Sequence, residues 1–181
     1  MLGREDIEKK IAAFPILEYA FFDPNEINFY PNVRKICEME CPQYGGSWSC
    51  PPAVGSLEEC KARCLSYDNA FIFSTVSEVT DMMDMEEMLA AQKEHIQIVR
   101  RIHEVVFDNR KDLLILTAES CRVCDTCTYP DNPCLYPDRM YPCIESQTIL
   151  VTEICENNHL SFLNGHNVVT WFCLILWNGT T

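Results

Sequence analysis

The chain has 181 residues, 48% of them hydrophobic, and carries 14 Lys and Arg against 27 Asp and Glu, a formal net charge of −13. That length supports one domain with its own core. The charge argues against nucleic acid, because basic side chains on phosphates supply most of such affinity, and no Lys/Arg run here exceeds two. In residues 4–14, Ile7, Ile11 and Phe14 recur at helical intervals and predict a short amphipathic helix. Extended segments follow near Tyr19–Phe22 and Ile27–Tyr30, divided by the turn-forming Asp23-Pro24-Asn25. In the first cysteine-rich region, residues 37–64, Gly45-Gly46 and Cys50-Pro51-Pro52 read as loop, since proline removes donors and fixes φ. Leu57–Leu65 then reads as a helix with Ser56 at its N-cap and Glu59 at N3, a capping box.

Ala70–Val76 is a short apolar run bounded by polar residues and reads as a buried strand. From Asp81 to Asn109, Met82, Met85, Met88, Leu89, Ile96, Val99, Ile102 and Val106 recur every three or four residues. This predicts the longest helix, its methionines filling gaps in the core. Asp112–Thr117 is a second buried strand, Ile144–Asn157 a further helix and Val168–Trp177 a long strand. The apolar end of that strand is far short of the ~20 residues a membrane-spanning helix needs. The expectation is an α/β or α+β fold over residues 1–181, a single small domain. Its sheet of about three to five strands is packed by helices, with two cysteine-rich loops at one end.

Twelve cysteines would mean a disulfide framework in a small secreted protein. The opening MLGREDIEKK, however, is charged and lacks an apolar signal core. A reducing cytoplasm is the expectation, and there clustered thiols bind metal or do redox chemistry. The second region, residues 121–143, begins Cys121-Arg-Val-Cys124-Asp-Thr-Cys127 and reaches Cys134 after a Pro-containing loop. Zinc usually takes two separated CxxC pairs, whereas overlapping cysteines at two-residue intervals resemble ferredoxin-type ligation and suit the corners of a 4Fe–4S cubane. Cys37, Cys41 and Cys50 form the other group and supply ligands for three irons. Cys60, Cys64 and Cys143 are further candidates, while Cys155 and Cys173 fall in apolar patterns and read as core.

Arg34, Lys35, Lys61, Arg63, Arg122 and Arg139 lie among these cysteines and would offset the charge of a thiolate-bound cluster. Tyr44, Trp48, Tyr129, Tyr136 and Tyr141 are expected to form an apolar shell around the sulfurs. His95 and His103 are expected on the exposed side of the long helix, and no histidines pair in an HExxH-like arrangement. Glu119 and Glu145 flank the second region as candidate acid/base groups.

Cys37-xxx-Cys41-xx-Tyr44-xxxxx-Cys50-Pro51-Pro52, the Cys121–Cys134 string and Pro142-Cys143-Ile144-Glu145-Ser146 together resemble an uncharacterised microbial family described as predicted metal-binding proteins, domain of unknown function 2284. The resemblance runs from about residue 30 to the C-terminus and implies metal or iron–sulfur binding, with no established reaction. The family carries serine where this chain has Cys143, so a ligand role there would be particular to this chain. Three function classes follow. The first is a cytoplasmic iron–sulfur protein with one or two 4Fe–4S clusters, serving in electron transfer or as a redox accessory. The second is an enzyme with an open-site cluster on three cysteines, for desulfuration- or dehydration-type chemistry. The third is a structural zinc protein. The partners expected are a redox protein or a small-molecule substrate, with no nucleic acid and no membrane.

Overall fold

A computed structural model describes residues 3–179. Its centre is a four-stranded, wholly antiparallel sheet in the order β1-β2-β4-β3. The strands are β1 (Glu18–Phe22), β2 (Asn69–Glu78), β3 (Leu113–Thr117) and β4 (Val168–Trp177). The helices are α1 (Arg4–Ile11), α2 (Pro31–Glu40), α3 (Leu57–Cys64), α4 (Met85–Val105) and α5 (Val151–Asn157). The fold is therefore α+β.

The two central strands pair along their full length, from Asn69 opposite Trp177 to Glu78 opposite Val168. Both are apolar on both faces because helices cover both sides. Ala70, Ile72, Phe172, Leu174 and Leu176 pack with Cys64 of α3 and with Ile154 and Cys155 of α5. Phe71, Phe73, Cys173, Ile175 and Trp177 pack with Ile7 and Ile11 of α1 and with Val99 and Ile102 of α4. The period of two along each strand sends alternate residues into these two cores.

The predicted capping box of α3 is present: Ser56 Oγ accepts the Glu59 N–H at 3.2 Å, and Glu59 Oε2 accepts the Ser56 N–H at 2.7 Å. Four other expectations are corrected. Residues 27–30 form no strand; Tyr30 is instead the N-cap of α2 and donates its N–H to the Thr148 carbonyl at 2.8 Å. The expected helix over residues 144–157 is broken. A 3₁₀ turn, Glu145–Gln147, ends at Thr148 with φ 66°, a left-handed value that interrupts helical hydrogen bonding, and α5 starts only at Val151. Met82 and Met85 do not fill core gaps; they are 49% and 66% exposed. His95 is not on an exposed face either. It is 1% exposed, because the buried stripe of α4 runs through Ala91, Gln92, His95, Val99 and Ile102.

The β3 edge positions the cysteines. The Thr117 N–H bonds the Pro142 carbonyl and the Ile144 N–H bonds the Thr117 carbonyl, both at 2.9 Å, in a parallel bridge between Thr117 and Cys143. Cys143 is thus pinned beside the strand end from which the chain enters Cys121. On the other flank, Arg34 of α2 donates to the Ser146 carbonyl at 2.9 Å and to the Gly55 carbonyl at 2.9 Å. That draws α2 and its cysteines to the same end of the sheet.

Candidate metal centre

After β3 the chain has no regular structure until the 3₁₀ turn Pro137–Arg139. Its wrap is closed by its own polar groups: the Asn132 N–H bonds the Thr128 carbonyl at 3.0 Å and Thr128 Oγ1 donates to the Pro133 carbonyl at 2.8 Å. This folding returns Cys134 toward Cys121. Cys121, Cys124, Cys127 and Cys134, all half-buried, line one small cavity, with Ser47, Trp48 and Tyr136 on its remaining walls.

The thiols of this group are tuned in opposite directions. Burial pushes Cys121 up, and the neighbouring Cys134 and Cys124 sulfurs add to that, while the Val123 N–H and the Arg100 guanidinium oppose it. Burial would push Cys127 up as well. The N–H groups of Tyr129, Trp48 and Thr128 and the Ser47 hydroxyl donate to its sulfur, and together they hold it below the usual thiol range. Donors to sulfur favour the thiolate, the form that ligates metal.

In the other group, Cys37 lies in the last turn of α2 and Cys41 is the C-cap, its N–H bonded to the Cys37 carbonyl at 3.3 Å. A spacing of four puts the two side chains one turn apart on one face. Cys50 is 3% exposed and comes next to Cys143 rather than to Cys60 or Cys64. The neighbouring Cys143 thiol lowers Cys50 to about 7 against the opposing effect of burial, with help from the Ser49 hydroxyl. The Cys50 sulfur, burial and the nearby Glu145 in turn drive Cys143 up. Burial raises Cys37, and Cys41 and Cys50 reinforce it, while Arg34 opposes. Glu145 is itself pushed up to about 7 by burial beside Cys143.

The remaining candidates are occupied otherwise. The Cys60 sulfur receives Arg34 Nη2 at 3.5 Å and faces the Val54 carbonyl at 3.5 Å. Cys64 sits in the apolar core and burial pushes it up to about 12. Cys155 and Cys173 are buried in the two cores, as their apolar surroundings predict. His103 bonds the Arg110 carbonyl at 2.7 Å and the Tyr141 hydroxyl at 3.2 Å.

The two cysteine groups meet along residues 47–50, where the motifs marked Cys50 but neither Ser47 nor Ser49. Ser49 Oγ accepts the Cys121 N–H at 2.9 Å, touches Ser47 Oγ at 2.9 Å and lies 3.7 Å from Cys50 Sγ. Trp48 Nε1 donates to the Asn132 carbonyl at 3.1 Å, and its ring meets Tyr129 edge-on at 4.9 Å. Of the expected aromatic shell, Trp48 and Tyr136 line the cysteine cavity and Tyr129 packs against Trp48, whereas Tyr44 is partly exposed with its hydroxyl on Glu38 and Tyr141 packs into the core beside His103 and under Arg100. Among the expected cations, Arg34 acts on Cys37, but Arg63 is spent on Gln147 Oε1 and the Val54 carbonyl, both at 2.8 Å. Arg100, far away in sequence, is the cation that acts on Cys121.

Among the described residues no three His, Cys, Asp or Glu side chains close a cage around a single ion. The chemistry of the donor set fits a thiolate-ligated metal group: four thiols face one cavity, and main-chain N–H groups are aimed at one of them. No helix among the described residues is long and apolar enough to cross a membrane. A family model described as "Predicted metal-binding protein (DUF2284)" matches residues 20–177. No curated protein and no solved structure matches the chain.

Proposed function

The chain belongs to this predicted metal-binding family, and we propose that it holds 4Fe–4S clusters and serves in electron transfer or as a redox accessory. The observation that carries the reading is the single cavity lined by Cys121, Cys124, Cys127 and Cys134, which would hold one cluster. Cys37, Cys41, Cys50 and Cys143 would hold a second. Bound there, such a group supplies reversible one-electron exchange. The chain's own contribution is to set the charge around the sulfurs. The N–H donors on Cys127 and the Arg34 and Arg100 guanidiniums favour thiolate, and Trp48 and Tyr136 screen the cavity from water. The acidic surface, net −13, favours docking to a basic partner protein.

Cys143 beside Cys50 gives the first group a fourth thiol. That favours closed ligation over an open-site enzyme on three cysteines. The same thiols suit structural zinc, so the metal must be identified chemically. Single replacements Cys124→Ser, Cys134→Ser and Cys143→Ser, purified without oxygen, should each lose about half the bound iron and sulfide, while Cys155→Ser keeps all of it. Retention of full iron by Cys124→Ser and Cys134→Ser would overturn the assignment. Metal that cannot be reduced and reoxidised without loss would overturn the electron-transfer part.

A further inference from the structure

We infer that the cavity between α4 and the start of the cysteine loop is a binding site for a small organic acid. The cavity is about 490 Å³, within the range of small-ligand sites. Four of the chain's 14 Lys and Arg line it: Lys93 and Arg100 from α4, Arg122 from the loop and Arg139 from the 3₁₀ turn. No Asp or Glu lines it, in a chain with 27 of them. None of the four cations is in an ion pair among the described residues. Gathered cations without counter-charge repel one another, and an anion among them removes that cost.

A second observation points the same way. Ser120 lines this cavity, is 7% exposed, and its buried Oγ has no hydrogen-bond partner. Buried hydroxyls are almost always satisfied, so an acceptor entering the cavity would complete it. Arg100 is already held in place, with Nη2 donating to the Arg139 carbonyl at 2.9 Å and the guanidinium 5.1 Å from the Tyr141 ring centroid. Such a fixed planar fork suits bidentate binding of a carboxylate.

The chemical class follows from the other walls. Leu89, Ile96, Val123 and Tyr141 give the cavity an apolar side that a bare inorganic ion would leave unfilled, so the ligand has a hydrocarbon body and at least one carboxylate. A second cavity of about 470 Å³ lies across Arg100 and Arg139, but Glu104 and Asp138 line it and offset its cations. Cys121 lines both the basic cavity and the cysteine-lined one. The bound acid would therefore lie against the edge of the metal centre. Anion binding does not depend on what the sulfurs hold; the role of that anion beside a redox group rests on the reading above.

The test is calorimetric titration of anaerobically purified protein with adipate, 3-phenylpropionate, their uncharged amides and inorganic phosphate, at constant ionic strength and with iron counted in each sample. The acids should bind about tenfold or more tighter than their amides and than phosphate. Arg100→Gln should weaken the acids about tenfold, and the exposed Arg139→Gln and Lys93→Gln should each weaken them severalfold if Arg100→Gln does not fold. Equal binding of acids and amides, phosphate binding tighter than either acid, or no effect of the variants would overturn the inference. Intact iron in samples that bind no acid would leave the metal reading standing, and acid binding by iron-free protein would do the reverse.

Discussion

Replacing Ser49 with alanine should destabilise the protein far more than loss of one small side chain normally does. Ser49 is fully buried and joins the two cysteine groups: its Oγ accepts the Cys121 N–H and touches Ser47 Oγ, both at 2.9 Å, and lies 3.7 Å from Cys50 Sγ. Each of the two short hydrogen bonds contributes about 1 kcal/mol net, and a buried donor left without a partner costs about 1–3 kcal/mol. Ser47, 3% exposed, keeps a bond from the Ser49 N–H at 3.2 Å, so the orphan is the Cys121 N–H. The orphan's cost already contains its lost bond, so with about 1 kcal/mol for the Ser47 bond the loss is about 2–4 kcal/mol. Ser66, whose hydroxyl donates to the Arg63 carbonyl in an exposed setting, is the control, and Ser66→Ala should lie within about 0.5 kcal/mol of the parent. Urea unfolding of the three proteins, with their metal content matched, measures both numbers. A Ser49→Ala loss no larger than the control's would refute the seam.

His95 makes a second prediction. Burial holds its imidazole down at about 4 against an ordinary 6.5, with Nδ1 bonded to Thr75 Oγ1 at 2.8 Å. Between those values the unfolded chain binds the proton and the folded one does not, so this stabilisation is full above about pH 6.5 and falls away toward pH 4. The gap corresponds to about 3 kcal/mol at about 1.4 kcal/mol per pH unit. The stability difference between parent and His95→Gln should therefore shrink by about that amount on acidification; a constant difference from pH 7 to 4 contradicts the buried neutral imidazole. Ser56→Ala removes the α3 cap and should cost about 1 kcal/mol, checked by thermal unfolding. Cys60→Ala and Cys64→Ala should keep bound metal while lowering stability, whereas Cys143→Ala should lose metal. Metal loss in the first two with retention in the third would reverse the ligand assignment.

What could be read from the sequence was local. The cap of α3 lies within four residues, and β2 and β4 announce themselves as apolar runs. The α2 helix escaped because its apolar stripe is short, Val33, Ile36 and Cys37, and only Val33 is buried while Ile36 and Met39 are exposed. It carries Cys37 in its last turn and Cys41 at its C-cap. The inward face of α4 was misplaced because two of its buried residues, Gln92 and His95, are polar, and the Thr75 partner that makes His95 acceptable lies on β2. The break at Thr148 depends on a left-handed backbone held by the distant Tyr30 N–H. The string from Cys121 to Cys134 was legible because its spacing alone gathers the sulfurs. The approach of Cys143 to Cys50 was not, since it needs the bridge between Thr117 and Cys143 and the docking of α2 through Arg34. The other candidates, Cys60 and Cys64, are turned by helix α3 toward Arg34 and the core.

Whether the thiols hold iron–sulfur clusters is decided by metal and sulfide analysis of protein purified without oxygen. About four or eight irons per chain, matched by acid-labile sulfide, are expected. Stoichiometric zinc with no sulfide would contradict the cluster assignment.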